Sequence, residues 1–448
     1  SYRREGFRDE ATRAIEEALK LDPYDGDALN NLGSLHINEG EPQKAIEALE
    51  RAVKHAPAHN HARWNLGLAQ LEAENWRDGF RNYTWGLRTG DRMNKKYGLA
   101  QWWHGQPCES LVVYDEQGVG DSVMFASVLN DLHKSGLAKK IIIDCHPRLF
   151  GLIKRSFPWA TAVYGTRKEI DKPSEWIEQW ERENGPIEYK SALPELCVLF
   201  RQETQDFNSA RDGYIKADPL RVQRYKQLIE SLGRKKVILM AHMGGHKKTR
   251  KDARSISLDK WLPLFRAHPD AAFISCEYMD RDADYEKLKN DHGVNVLHLP
   301  QVFDAERYQS WLVLDPAGGF VAACKTKDNA KMLQSKLPGS TIKLEHGSGY
   351  DLDDFFAFLV ALGMHGGLVV TVNNSTVHFA GSLGVPCYTL TPSAVAWRYG
   401  IDREDMVWYS SVRQFRQAGN DWGPTFERLA SEVGQFFKED VNVKGEAA

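Results

Sequence analysis

Paired cysteines, a targeting leader, an uninterrupted membrane span and a charge of one sign are all missing from this chain of 448 residues. The six cysteines (Cys108, Cys145, Cys197, Cys276, Cys324 and Cys387) are scattered, with no CxxC pair. That spacing excludes a disulfide framework or zinc module and predicts reduced thiols in a cytoplasmic protein. A formal net charge of -3 gives no global field favouring nucleic acid or membrane, although a local patch is not excluded. The opening SYRREGFRDE is charged and has no signal-peptide core. Because the chain opens inside a repeat, upstream residues are expected, and the missing leader weighs little. The most apolar stretch, FFAFLVALGMHGGLVVTV at 355–372, is interrupted by His365 and by Gly366-Gly367. It predicts a buried helix, a turn and a buried strand, with no transmembrane segment.

What is present is a globular composition, 42% hydrophobic and 27% charged, long enough for two or three domains. The first ninety residues repeat. Ala11, Ala45 and Gly79 are spaced 34 apart, as are Ala18, Ala52 and Gly86. Leu32-Gly33 returns as Leu66-Gly67, and Pro23 as Pro57, with Leu49 and Tyr83 at the large apolar position. This is the tetratricopeptide pattern: small residues let two antiparallel helices approach closely, and proline ends the second. One half repeat, one full repeat and one degenerate repeat are expected. They predict either a concave surface for a protein partner or acceptor, or a scaffold covering the next domain. His55, His59 and His61 form a candidate metal cluster, but their place in a turn favours solvated histidines.

After residue 100 short apolar runs alternate with helical stretches: LVVYD (111–115), KIIIDC (140–145), KVILMAH (236–242), AAFISC (271–276), LVVTV (368–372) and PCYTL (386–390). This predicts an α/β chain of two Rossmann-like, doubly wound domains, with ligand at the carboxyl ends of the strands. The expected boundaries are repeats at 1–90, a first Rossmann-like domain at 91–235, a second at 236–423, and a C-terminal helix and tail at 424–448.

Three loops follow strands. In DEQGVGDSVMFASVL (115–129), Gly118 and Gly120 permit a tight turn and close approach of a ligand. Asp121 is either a general base or a helix cap, and spacing alone favours the cap. The loop GGHKKTRKDARSISLDKW (244–261) carries His246, Lys247, Lys248, Arg250, Lys251, Arg254 and Lys260. It is suited to a diphosphate, or it is a solvated charge run. In VTVNNSTVHFAGSLGVP (370–386), Asn373, Asn374, Ser375 and Thr376 lead into a helix, an arrangement suited to an anion, with His378 one turn further in. In WYSSVRQFRQ (408–417), packing suits the aromatics, and Arg416 and Gln417 are the ligand candidates.

In order and spacing these motifs resemble the tetratricopeptide proteins whose C-terminal region is related to the ADP-heptose lipopolysaccharide heptosyltransferases. The resemblance rests on Trp103-His104-Gly105, EQGVGD (116–121), Arg254-Ser255-Ile256, VNNSTVHFAGSLGVP (372–386), Trp397-Arg398, WYSSVRQFRQ and Asp421-Trp422, and spans about residues 100–436. It implies the GT-B fold and transfer of a sugar from a nucleotide-diphosphate donor to an acceptor hydroxyl, with inversion. It raises Asp121 from cap to base. It assigns the donor to the 246–260 loop and the 374–384 helix, so that His246, Lys248, Arg254, Lys260, Asn373, Asn374, Ser375, Thr376 and His378 join Gly118, Gly120, Arg416 and Gln417 as expected donor-binding residues. Positive side chains would stabilise the leaving diphosphate, so no metal and no cofactor beyond the donor is expected.

The chain departs from the pattern twice. Asn373 replaces an aspartate, removing a charge at the donor site, and residues 303–346 are an insertion. Asp282-Ala283-Asp284 and Asp351-Leu352-Asp353 resemble metal-binding DxD strings, but neither directly follows a strand. The acceptor class stays open between protein, glycan and modified nucleic acid. A catalytically degenerate transferase serving as a binding scaffold is the second reading, supported by Asn373. An epimerase or hydrolase is the third, and it leaves the repeats unexplained.

Overall fold

The computed structural model describes residues 2–166, 175–244, 254–277, 281–299, 302, 310–314, 316, 320–324, 327–345, 352–393, 395–419 and 421–445. The chain forms a helical repeat segment followed by α/β structure built on parallel sheets, in two compact units.

The repeats comprise α1 (Tyr2–Leu21), α2 (Gly26–Glu39), α3 (Pro42–His55), α4 (Asn60–Glu72) and α5 (Trp76–Tyr83). Their ends follow local chemistry. Asp25 accepts from the Asp27 and Ala28 amides, Gly40 closes α2 in the left-handed region, and Pro42 opens α3. His59 caps α4 by accepting from the Ala62 amide and also contacts Asp27 at 3.0 Å, while the His55 ring lies on Tyr24. The small residues act as the repeat pattern requires. Leu29, Ala45, Leu49, Ala52, Ala62, Leu66 and Ala69 make one core. A β-carbon on Gly67 would stand 2.5 Å from the Tyr83 nitrogen.

The first unit comprises residues 1–146, 157–214 and 390–421. Its sheet contains β1 (Gln101–Trp102), β2 (Cys108–Tyr114), β3 (Ala138–Cys145), β4 (Ala162–Gly165) and β5 (Tyr189–Ala192), in the order β1-β5-β2-β3-β4. Every pairing in it is parallel. Leu111–Tyr114 of β2 are fully buried, as expected of a strand inside a parallel sheet.

The second unit comprises residues 147–156, 215–389 and 422–448. Its strands are β6 (Val237–Ala241), β7 (Ala272–Ser275), β8 (Val296–His298) and β12 (Leu368–Val372), paired in parallel in the order β12-β6-β7-β8, with β13 (Cys387–Thr391) beside β12. The 355–372 stretch behaves as expected: helix Asp353–His365 ends at Gly366 (φ 80°) and β12 follows. Among the described residues no helix is long and apolar enough to cross a membrane. Between β8 and β12 lies an antiparallel sheet of β9 (Ser310–Leu314), β10 (Phe320–Cys324) and β11 (Thr341–Glu345), with helix Lys327–Ser335. Helix Gly423–Gly445 closes the unit, with Phe426 against Trp261 and the His268 ring donating to the Ala430 carbonyl.

β13 carries the chain back to the first unit. There β14 (Asp405–Met406) and β15 (Tyr409–Arg416) pair antiparallel. β15 accounts for WYSSVRQFRQ, whose Trp408, Tyr409 and Phe415 are buried.

Candidate functional site

In the first unit β2 delivers the chain into the glycine-rich loop. Asp115 is tied down at once: its carboxylate accepts from the Ser122 hydroxyl at 2.9 Å and the His146 amide at 2.8 Å. Burial pushes its pKa up, with Lys95 opposing. Gly118 is the N-cap of helix Val119–Phe125, so Asp121 is the third helical residue and not the cap. Its side chain, 26% exposed, meets Arg398, whose Nη2 lies 2.6 Å from Asp121 Oδ1. Burial is the largest influence and opposes the Arg398 charge, but Asp121 together with Tyr83, Tyr399 and Tyr409 holds the guanidinium above its ordinary pKa. Trp397 anchors this arginine, its ring packed near Phe80, Tyr83, Phe125 and Trp408.

Beneath the loop lies a buried ion network. Arg92 Nε donates to Glu116 at 2.8 Å, and its Nη1 donates to Glu195 at 2.7 Å and to the Tyr83 carbonyl at 3.1 Å. The Arg92 and Glu116 side chains are 2% and 0% exposed. Such a buried guanidinium persists only because two carboxylates and a carbonyl share it.

Arg416 and Gln417 also lie in the first unit. The Arg416 guanidinium donates to the carbonyls of Arg403, Tyr399 and Gly400 at 2.8–2.9 Å, and the Gln417 amide donates to the Thr391 carbonyl. These bonds hold the returning segment together.

The remaining donor candidates lie in the second unit. Arg254 Nη1 donates to the Asn373 carbonyl at 2.7 Å, which joins the RSI and VNN motifs. Ser255 accepts from the Gly244 amide and Ile256 donates to the His242 carbonyl, pinning 254–256 to the end of β6. Asn374 caps helix Ser375–Ser382, its side-chain oxygen accepting from the Thr376 amide at 2.9 Å. Asn373 is buried and its amide oxygen accepts from the Thr389 hydroxyl at 2.7 Å. Ser375 is half-buried, while Thr376 and His378 are buried in the same helix. Lys260 is exposed on the turn Leu258–Trp261. His246 and Lys248 lie outside the described residues.

Sequence reasoning gave no role to several residues found here. Arg398 was visible only as half of a Trp-Arg motif, Tyr83 only as the large apolar position of the repeat, and Arg92 and Glu195 carried no local signal. The same holds for Glu277, which accepts from both the His242 and Met243 amides at 2.8 Å. His242 is buried, and burial, aided by the Arg281 cation, lowers its pKa to about 4. Of the acidic strings, Asp282 contacts His298 and Asp284 contacts Arg281; Asp353 is buried against Arg155, and Asp351 lies outside the described residues.

Comparison with known proteins follows the same division of the chain. A tetratricopeptide repeat family model matches residues 1–53 and 32–78. Protein FlbA of Caulobacter vibrioides is 25% identical over 480 residues, covering 95% of this chain and 70% of that protein. Among solved structures, a glycosyl transferase of family 9 from Veillonella parvula is 10% identical with a TM-score of 0.45, covering 75% of this chain and 100% of that one. The ADP-heptose lipopolysaccharide heptosyltransferase II of E. coli is 10% identical with a TM-score of 0.43, covering 74% and 99%. The O-GlcNAc transferase of Thermobaculum terrenum is 13% identical with a TM-score of 0.27, covering 96% and 82%. The N-terminal helices of this chain are tetratricopeptide repeats.

Proposed function

We propose that the protein transfers a sugar from a nucleotide-diphosphate donor to an acceptor hydroxyl, with inversion and without a metal, and that Asp121 is the base. The observation that carries this reading is the state of Asp121. The backbone does not use its carboxylate as a cap, and a half-buried arginine orients it at the end of a strand and a glycine-rich turn. A general base needs that combination of fixed direction and partial exposure. In the second unit, Arg254 and the N-terminal residues of helix Ser375–Ser382 supply groups suited to a leaving diphosphate. The acceptor is a protein, a glycan or a modified nucleic acid, and the repeats favour a polypeptide.

A catalytically degenerate transferase acting as a repeat-based binding scaffold is the second reading, and Asn373 favours it: a neutral amide committed to Thr389 stands where the resembling family has a charge. A thermal-shift screen against ADP-, GDP-, UDP-, CMP- and dTDP-sugars, with magnesium or with chelator, separates the two when paired with donor-turnover assays. Selective stabilisation by one nucleotide class, insensitive to chelator and accompanied by turnover, supports the transferase. Asp121→Asn should keep the shift and lose turnover by about 10²-fold or more, and Arg254→Ala should lose the shift. Wild-type turnover in both variants removes the assignment, and a shift without any turnover leaves the scaffold.

A further inference from the structure

Gly118 caps the helix that carries Asp121 and Gly120 lies in its first turn, so neither position has a side chain to restrain the backbone where the 116–121 loop enters the helix. Something must hold it from behind, and the groups that do so come from the last repeat and the residues just after it. The Gln117 side chain donates to the Tyr83 hydroxyl at 2.7 Å, and Tyr83 is the final residue of α5. Glu116 accepts from Arg92 Nε at 2.8 Å and from the Met93 amide at 3.2 Å. The Arg92 guanidinium stands 4.6 Å from the centre of the Tyr83 ring, so one aromatic side chain underlies both connections. Burial raises the Tyr83 pKa well above its ordinary value, which keeps the hydroxyl neutral at the Gln117 contact. The same ring packs 5.8 Å from Trp397, the neighbour of Arg398. Two consecutive loop residues, Glu116 and Gln117, are thus held by the repeat side, and the residue paired with Asp121 is buttressed by the same tyrosine.

We infer that Tyr83 and Arg92 are positioning residues of the candidate site, holding the 116–121 loop through Gln117 and Glu116 so that Asp121 keeps its orientation. This rests on the reading of Asp121 as the base. It makes the last repeat a working part of the loop and not an appended binding module. Neither residue touches the reacting atoms; both act through the loop.

Tyr83→Phe, made in the full chain, deletes one end of the Tyr83–Gln117 hydrogen bond and keeps the ring, while Gln117→Leu deletes the other end together with the Gln117 Nε2 bond to Glu116 at 3.1 Å. Two readouts are needed. Amide hydrogen exchange across residues 115–125 reports the loop whether or not the protein turns over. Tyr83→Phe should exchange there about fivefold to tenfold faster than wild type, the range expected for loss of one part-buried hydrogen bond, Gln117→Leu at least as fast, and the double variant should match Gln117→Leu because the Tyr83 link is already lost in it. Steady-state kinetics should show kcat down by a similar factor with donor KM unchanged. Arg92→Lys should retain more of kcat than Arg92→Met, since an ammonium still reaches one carboxylate. Wild-type exchange in 115–125 for both single variants overturns the inference, as do additive effects in the double variant. Faster loop exchange with turnover that does not depend on Asp121 sustains the loop-holding role and removes the base instead, so the two failures are distinguishable.

Discussion

A buried neutral imidazole is a pH-dependent liability, and His242 is one. Its pKa falls from the ordinary 6.5 to about 4 in the folded protein, chiefly through burial. On acidification the unfolded chain takes up the proton first. Stability is therefore fully present above about pH 6.5 and is lost progressively toward pH 4, amounting to about 3 kcal/mol for this group. His242→Phe should flatten the dependence of ΔG of unfolding on pH between 4 and 6.5 by that amount, measured by denaturant titration at several pH values. An unchanged slope would show that the ring is solvated in solution. At this same scale the sequence revealed positions more readily than partners. EQGVGD identified Asp121 and left it between cap and base. What removes the cap is that Gly118 takes the N-cap, while Arg398, 277 positions away, takes one carboxylate oxygen. No local pattern encodes a contact over that separation. Asn373 could be read as a missing charge, but its bond to Thr389 could not, because that residue belongs to the neighbouring strand.

Elements were legible where their periodicity was long. The repeats, the buried strands at 111–115, 140–145, 236–242, 271–276, 368–372 and 386–390, and the helix before β12 all form close to their expected bounds. Of the strands that escaped notice, β4, β5 and β8 are three or four residues long and include polar or half-buried positions, so neither alternation nor an apolar run marks them. The small residues of the repeats were legible, and they support a test. In Gly67→Ala the new β-carbon would lie 2.5 Å from the Tyr83 nitrogen and 2.7 Å from the Asn82 carbonyl carbon, so the α4–α5 backbones must separate. Alanine gains about 1 kcal/mol of helix propensity over glycine, but overpacking against a backbone costs about 1–3 kcal/mol. The variant should be destabilised, with a lower melting temperature. Gly363→Ala is the control, since its β-carbon meets only Val385 methyls at 3.4–3.7 Å, and it should melt at or slightly above wild type. Equal melting of the two variants would mean that the helices of the last repeat are spaced more widely than described.

At the scale of the molecule, the repeats and the first sheet belong to one compact unit, completed by a stretch of chain that returns about two hundred residues later. The repeat segment is joined to that unit by chemistry as well as packing. The Trp76 indole donates to the Thr204 hydroxyl at 3.0 Å, Glu74 pairs with Arg403 at 2.6 Å, and Phe80 and Tyr83 pack near Trp397. Cooperative units in proteins follow such contacts and not the order of the chain. The three parts should therefore open together, with one exception at the far end: α1 meets few elements beyond α2, and most of its surveyed side chains are exposed or half-buried. Native-state hydrogen exchange should find α5 amides as protected as those of Cys108–Tyr114 in β2, and α1 amides far less so. Arg403→Ala, which leaves Glu74 without its cation, should lower protection in α5 and in β2 together. Loss confined to α5 would instead make the repeats a separately folding module, and their hold on the Asp121 loop would then be a docking contact and not part of one cooperative unit.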